Sequence, residues 1–183
     1  QEKLMKCTPF LQNIIGAFLF LLSSFSALAA DGTIYFTGTI VEASCDVSSD
    51  THVDFEDTKT DQLKNKGDTA KTKSFSVYLK DCPSTVNNAS ISFSGTADAN
   101  NPELFATSGA TQGIGLEIID LNDANQQRLP PTTDTTKGSR FVAIKPGKVT
   151  NMLNFGARYM ATTDSKVISG KAFSQADFTV TYR

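Results

Sequence analysis

Few residues in this chain could do covalent chemistry. His52 is the single histidine, set in a polar stretch, so a Ser-His-Asp or Cys-His arrangement would hang on one residue with no supporting motif. Asp54, Glu56, Asp57 and Asp61 bring carboxylates together, but the run lacks the glycine and closing glutamate of a calcium loop. It reads as a solvated face. Two thiols, Cys45 and Cys82, with His52 fall short of the soft ligands a zinc site takes. No phosphate-cradling glycine loop or nucleophile elbow is present, and Asn88-Ala89-Ser90 matches a glycosylation acceptor, a pattern short enough to arise by chance. The chemistry-bearing residues therefore predict no enzyme, no cofactor and no metal.

The elements that hold these residues begin with an export signal. Lys6 precedes an apolar run over residues 14–22, and small residues follow, including Ala27-Leu28-Ala29. A charged start, a greasy centre and an A-x-A site make a secretory signal peptide, expected to span residues 1–29. A membrane anchor is the alternative, but the run is too short to cross a bilayer comfortably. Taking Glu2, Lys3 and Lys6 from the 19 acidic and 17 basic side chains leaves a mature net charge of about −3. That sign, without a Lys/Arg cluster, argues against nucleic acid as a partner, and no second long apolar run suggests membrane insertion of the mature chain. The remaining length suits one domain. Cys7 leaves with the signal, and an even pair in an exported chain, Cys45 and Cys82, reads as a disulfide worth about 4 kcal/mol on the chain-entropy model.

Strand signals dominate the rest. Residues 33–41, T-I-Y-F-T-G-T-I-V, alternate so that Ile34, Phe36, Gly38 and Ile40 share one face and Tyr35, Thr37, Thr39 and Val41 the other. Such a strand pairs either within its own domain or with another chain. Residues 48–52 read as a polar turn, Val53 and Phe55 as a short strand, and 54–73 as a surface loop. Residues 74–79 alternate with Phe75, Val77 and Leu79 on one face, and place Cys82 where it can reach Cys45. Ala89, Ile91 and Phe93 point inward from the next strand. Further strands are expected at 115–120, near 127–129, at 151–155 leading into 157–161, and at 178–182, with turns between them, and the apolar Phe141, Ala143 and Ile144 precede the turn at Pro146-Gly147. No stretch keeps a helical period for three turns, so the expected class is an all-β, immunoglobulin-like sandwich. Without tryptophan, an antibody-type domain is not expected. Phe178, Val180 and Tyr182 alternate to the very end, so both ends of the mature chain are strands, and one of them is available to be without a partner in its own domain.

These residues resemble the pilins of chaperone–usher fimbriae, particularly the type 1 fimbrial subunits of enteric bacteria. The likeness rests on the N-terminal strand with Gly38, the Cys45/Cys82 pair with the second cysteine in V-Y-L-K-D-C, the segments I-S-F-S-G-T-A-D and L-N-F-G-A-R-Y-M-A-T, and the ending F-T-V-T-Y-R. Gly170 falls fourteenth from the last residue and Tyr182 is penultimate, as in that family's recognition pattern. The resemblance implies an incomplete immunoglobulin-like β-sandwich lacking its last strand and completed by donor-strand exchange, a form of β-strand addition. It implies a periodic set of partners: a periplasmic pilus chaperone that fills the groove first, an outer-membrane usher, and neighbouring fimbrial subunits. Residues 30–42 would be the donor extension and 43–183 the pilin domain. Ile34, Phe36, Gly38 and Ile40 would enter the neighbour's groove, with Gly38 where a side chain would clash. Gly170, Phe178, Val180, Tyr182 and Arg183 would form the acceptor groove and chaperone contact, the Arg183 carboxylate being held by basic chaperone residues. The implied role is a structural subunit of an extracellular cell-surface fimbria, exported through the periplasm and supporting adhesion. The short extension before Cys45 and the P-G-K-x-x-N-x-L-N-F pattern at 146–155 lean to a minor or tip-adaptor subunit, with the major rod pilin as the alternative. A secreted carbohydrate-binding sandwich and a small periplasmic enzyme using His52 are the rivals from other classes.

Overall fold

Alternation of apolar and polar side chains builds ten strands, with no α-helix among the described residues of this computed structural model, which are 44–50 and 52–183. The expected signal peptide, the strand at 33–41 with Ile34, Phe36, Gly38 and Ile40, and the start of the pilin domain at residue 43 lie outside the described residues. The chain divides into two units, Gln1–Val41 and Glu42–Arg183, and the second contains every described residue. In chain order the strands are β1 (Asp46–Ser49), β2 (Lys73–Lys80), β3 (Asn88–Ser94), β4 (Phe105–Ala106), β5 (Ser108–Gly109), β6 (Ile114–Asp120), β7 (Val142–Ala143), β8 (Asn151–Ala161), β9 (Ala172–Phe173) and β10 (Asp177–Tyr182).

One sheet runs β1-β2-β8-β6-β4, a second β10-β3-β7, and β5 pairs with β9 at one end. All named pairs are antiparallel. The two larger sheets face each other and share one core. Val77 and Leu79 from β2, Leu153, Phe155 and Ala157 from β8, and Leu116 and Ile118 from β6 meet Ala89, Ile91 and Phe93 from β3. Phe93 stands edge-on to Phe155 with ring centroids 5.2 Å apart and reaches Phe178 of β10 at 6.5 Å. Aromatic contacts of this kind add to the area they bury. This is the expected immunoglobulin-like sandwich.

Cys45 and Cys82 form the expected disulfide across 37 residues and tie the start of β1 to the end of β2. Both are buried. On the far side of the large sheet Glu117 is only 2% exposed, yet its carboxylate accepts from Arg128 Nε and Arg158 Nε, and Arg128 also reaches Glu103. Burial pulls the Arg128 guanidinium down, but Glu117 and Glu103 hold it above its ordinary value. A buried carboxylate is tolerated because it is paired on both oxygens.

Several boundaries differ from the sequence expectation. Val53 and Phe55 form no strand; Phe55 packs its ring on Tyr159 at 4.6 Å instead. Ser48 and Ser49, expected in a turn, extend β1 because Tyr78 and Val77 stand opposite to pair with them. The side chain of Asp50 then ends the pairing by accepting from Ser76 N at 2.9 Å. Near 127–129 only Arg128 pairs, in an isolated bridge to Ile119. Residues 151–161 form one continuous strand, because Gly156 lets Thr72 and Ile119 approach where a Cβ would stand 2.6 and 3.0 Å away.

Candidate functional site

In an antiparallel ladder the hydrogen-bonded pairs recur at every second residue. Asn88 and Arg183 exchange both main-chain bonds at 2.9 Å. The register Tyr182↔Ala89, Thr181↔Ser90, Val180↔Ile91, Thr179↔Ser92 follows. Thr181 and Thr179 therefore turn their main chain towards β3. Phe178, Val180 and Tyr182 turn theirs the other way, and β10 has no strand on that side among the described residues. Their side chains point inward, half-buried against the shared core. Among the described residues, one strand thus carries a row of main-chain groups with no strand opposite them, along a greasy flank.

At the Phe178 end of that row lies a cleft of about 1480 Å³. Its floor is apolar: Phe75, Val77, Phe93, Leu116, Ile118 and Ala157. The unpaired stretch from Val53 to Thr58 forms one wall, and residues 169–178 the other. Tyr159 also lines it, and burial pushes its phenol up. A long apolar trench next to a bare strand edge is shaped for an extended peptide, with main-chain bonds along the edge and alternate side chains on the floor.

The residues singled out from the sequence occupy different parts of this arrangement. Gly170 and Phe178 line the cleft. Gly170 sits where residues 168–173 cross 108–113, held by the β5–β9 pair and the Gln112–Ile168 bridge. A Cβ at Gly170 would stand 2.8 Å from Ala110 Cβ, so the crossing requires glycine. Val180 and Tyr182 pack on the core farther along β10. The Tyr182 hydroxyl is buried without a hydrogen bond of good geometry. Burial pushes its phenol up, and the nearby Cys45 backbone only partly offsets that. Arg183 lies at the far end: its main-chain oxygen accepts from Asn87 N and Asn88 N, and its guanidinium lies 4.0 Å over the Phe141 ring.

Of the cleft-lining residues, Phe75, Val77 and Phe93 are read from the sequence on one face of their strands and Leu116, Ile118, Ala157 and Tyr159 only as strand residues; the shared trench depends on which sheet each strand joins. Of the chemistry candidates, His52, Asp54, Glu56 and Asp57 lie along the wall of this cleft rather than on its floor. His52 shares a smaller cleft of about 500 Å³ with Asp50, Asp54 and Lys73. Glu56 makes an exposed ion pair with Lys71. Among the described residues no three metal-ligating side chains converge. Ser90 of the glycosylation-like triplet is buried and donates to Ser139 O at 2.7 Å.

Comparison with known proteins agrees with this geometry. The family model described as fimbrial protein matches residues 34–183. The fimbrial-like protein SfmA of Escherichia coli is 35% identical over 183 residues, covering 94% of this chain and 97% of that one. The "Probable major fimbrial subunit LpfA" of Escherichia coli O157:H7 is 31% identical over 165 residues, covering 86% and 87%. Among solved structures, the P pilus rod subunit PapA superposes with a TM-score of 0.61 at 18% identity, over 77% of this chain and all of that one, which places the fold. With an immunoglobulin-like sandwich whose β10 edge meets no strand among the described residues, this chain belongs to the fimbrial protein family, as a structural subunit of cell-surface fimbriae.

Proposed function

We propose that the cleft beside β10 takes the extended residues 30–42 of a neighbouring copy or subunit, so that each sandwich is completed by the next molecule through donor-strand exchange. The observation that carries this is the apolar floor that meets β10 at Phe178, the first of three residues, with Val180 and Tyr182, whose main chain faces away from β3. Ile34, Phe36 and Ile40 would fill the floor in alternation, and Gly38 would fall where the trench leaves no room. Residues 43–183 act as the pilin domain and 1–29 as the removed signal. Before assembly a periplasmic chaperone holds the cleft, with β10 and Arg183 as its contact, and the outer-membrane usher is where the exchange takes place.

For position in the fimbria we retain the minor or tip-adaptor subunit, supported by the short extension before Cys45. The major rod pilin is the second reading, favoured by the relative whose name describes a major subunit. The direct test is to express the chain with a chaperone–usher system and run the surface fraction on a detergent gel without heating. A ladder of resistant oligomers supports strand exchange. A well-behaved solitary monomer, as a carbohydrate-binding module would give, overturns it. Gly38→Leu should leave the chaperone-bound form intact and shorten the ladder; a ladder of unchanged length counts against the donor assignment.

A further inference from the structure

The second edge of the small sheet is closed in an unusual way. Beside β3, β7 supplies strand pairing only at Asn88 and Ala89. From Ser90 onward β3 would face solvent, with Ile91 and Phe93 presenting main-chain groups just as β10 does. Residues 132–144 lie over that edge instead. Ser139 N donates to Ile91 O at 2.7 Å, and Ile91 N donates in return to the Ser139 hydroxyl at 2.9 Å, a side chain standing in for a strand. Thr132 N donates to Phe93 O at 2.8 Å and Ile144 N to Asn87 O at 2.9 Å.

The strap is also fastened away from β3. Arg140 N donates to the Asp120 carboxylate at 3.1 Å, and Asp120, fully buried at the end of β6, takes Asn122 N and Nδ2 on its other oxygen. Gly138 passes so near β3 that a Cβ there would stand 2.7 Å from Ser90 Oγ and 2.9 Å from Ile91 O. Just before it, the Asp134 carboxylate caps the turn at Thr135–Lys137, where hydrogen bonds from Thr136 lower its pKa. Phe141 lies under the Arg183 guanidinium, joining the strap to the end of β10.

We infer that residues 132–144 are an edge guard that leaves the subunit a single strand-accepting edge, and that the guarded edge of β3 accepts an extended strand from a second copy once the guard is lifted. A sheet with two open edges templates pairing on both, and a subunit with two would branch or clump where one edge gives a linear chain. The inference rests on the proposed strand docking at β10 for its biological meaning, but the guard is tested separately.

The full chain is refolded with an excess of a synthetic peptide of residues 33–41, and peptides bound per chain are counted by native mass spectrometry. The parent chain should hold one peptide, and Gly138→Val should hold two. Ser139→Ala is the milder variant, retained in case Gly138→Val does not fold. It should speed exchange of the Ile91 amide on the order of tenfold, the loss of one hydrogen bond, and show a second bound peptide. A lifted guard, seen as faster Ile91 exchange, with no added peptide overturns the inference. A parent that holds none speaks against docking at β10; the guard then stands if a variant holds one and falls if it holds none.

Discussion

The two edges of the β10-β3-β7 sheet are built from similar materials and treated in opposite ways. On the β3 side Ile91 and Phe93 have their main-chain groups met by Ser139 and Thr132, and the strap is pinned to buried Asp120. On the β10 side Phe178, Val180 and Tyr182 offer the same kind of groups, with an apolar trench opening at Phe178, and meet no strand among the described residues. Unpaired strand edges are hazards that folded proteins usually cover. A molecule that guards one edge with a buried network and leaves the other bare beside a greasy floor marks the bare one as a place for a partner.

The contrast can be broken or sharpened by substitution. Phe93→Ala should have the largest effect, because its ring touches Phe75, Phe155 and Phe178 beneath both edges; a loss of about 3–5 kcal/mol in urea unfolding is expected for such a core ring. Prolines at adjacent positions of β10 should then part company. Thr179→Pro removes a donor that faces β3 and should cost about 3 kcal/mol. Val180→Pro removes one that faces outward, where proline is tolerated, so stability should fall by only about 1 kcal/mol while capture of the 33–41 peptide is lost. Equal destabilisation by the two would mean the ladder has been assigned the wrong phase.

Asp120→Ala acts on the guarded edge alone. It leaves Arg140 N and Asn122 N without their acceptor and should cost about 2 kcal/mol, with faster exchange at Ile91 and none of the peptide loss seen with Val180→Pro. Tyr182→Phe should be smallest, within about 1 kcal/mol and of either sign, since its hydroxyl has no good partner to lose. It has a pH signature. Burial raises the folded phenol above its unfolded value, so the neutral form is the one the fold favours, and this stability is present below the ordinary tyrosine pKa near 10 and lost as pH rises through the folded value. Tyr182→Phe should therefore flatten part of the alkaline decline in melting temperature; an unchanged decline would place the effect elsewhere, for instance at Tyr159, which burial raises too.

Much of the fold could be read from alternation. Phe75, Val77 and Leu79, or Ala89, Ile91 and Phe93, are spaced for one face of a strand, and the structure buries them or packs them on the core. The disulfide was legible because an even cysteine pair in an exported chain leaves little choice. The same period misled at Val53 and Phe55, where alternation is real but neither residue pairs with a strand among the described residues. The strap was invisible for a different reason. Gly138-Ser139-Arg140 reads as a loop because a hydroxyl and a distant buried carboxylate do the work of a strand, and sequence spacing does not record either. The cleft was legible only in part: Phe178 by its place in the final strand, Gly170 by resemblance, the floor residues not at all as a set.

The most direct test is amide exchange along β10, measured by NMR in the chain alone and again in assembled fimbriae. An edge that waits for a partner should show fast exchange at Phe178, Val180 and Tyr182 but slow exchange at Thr179 and Thr181 in the solitary chain, and strong protection at all five after assembly. Protection of Phe178, Val180 and Tyr182 already complete in the solitary chain, or still missing in the fimbria, would contradict strand docking at this edge.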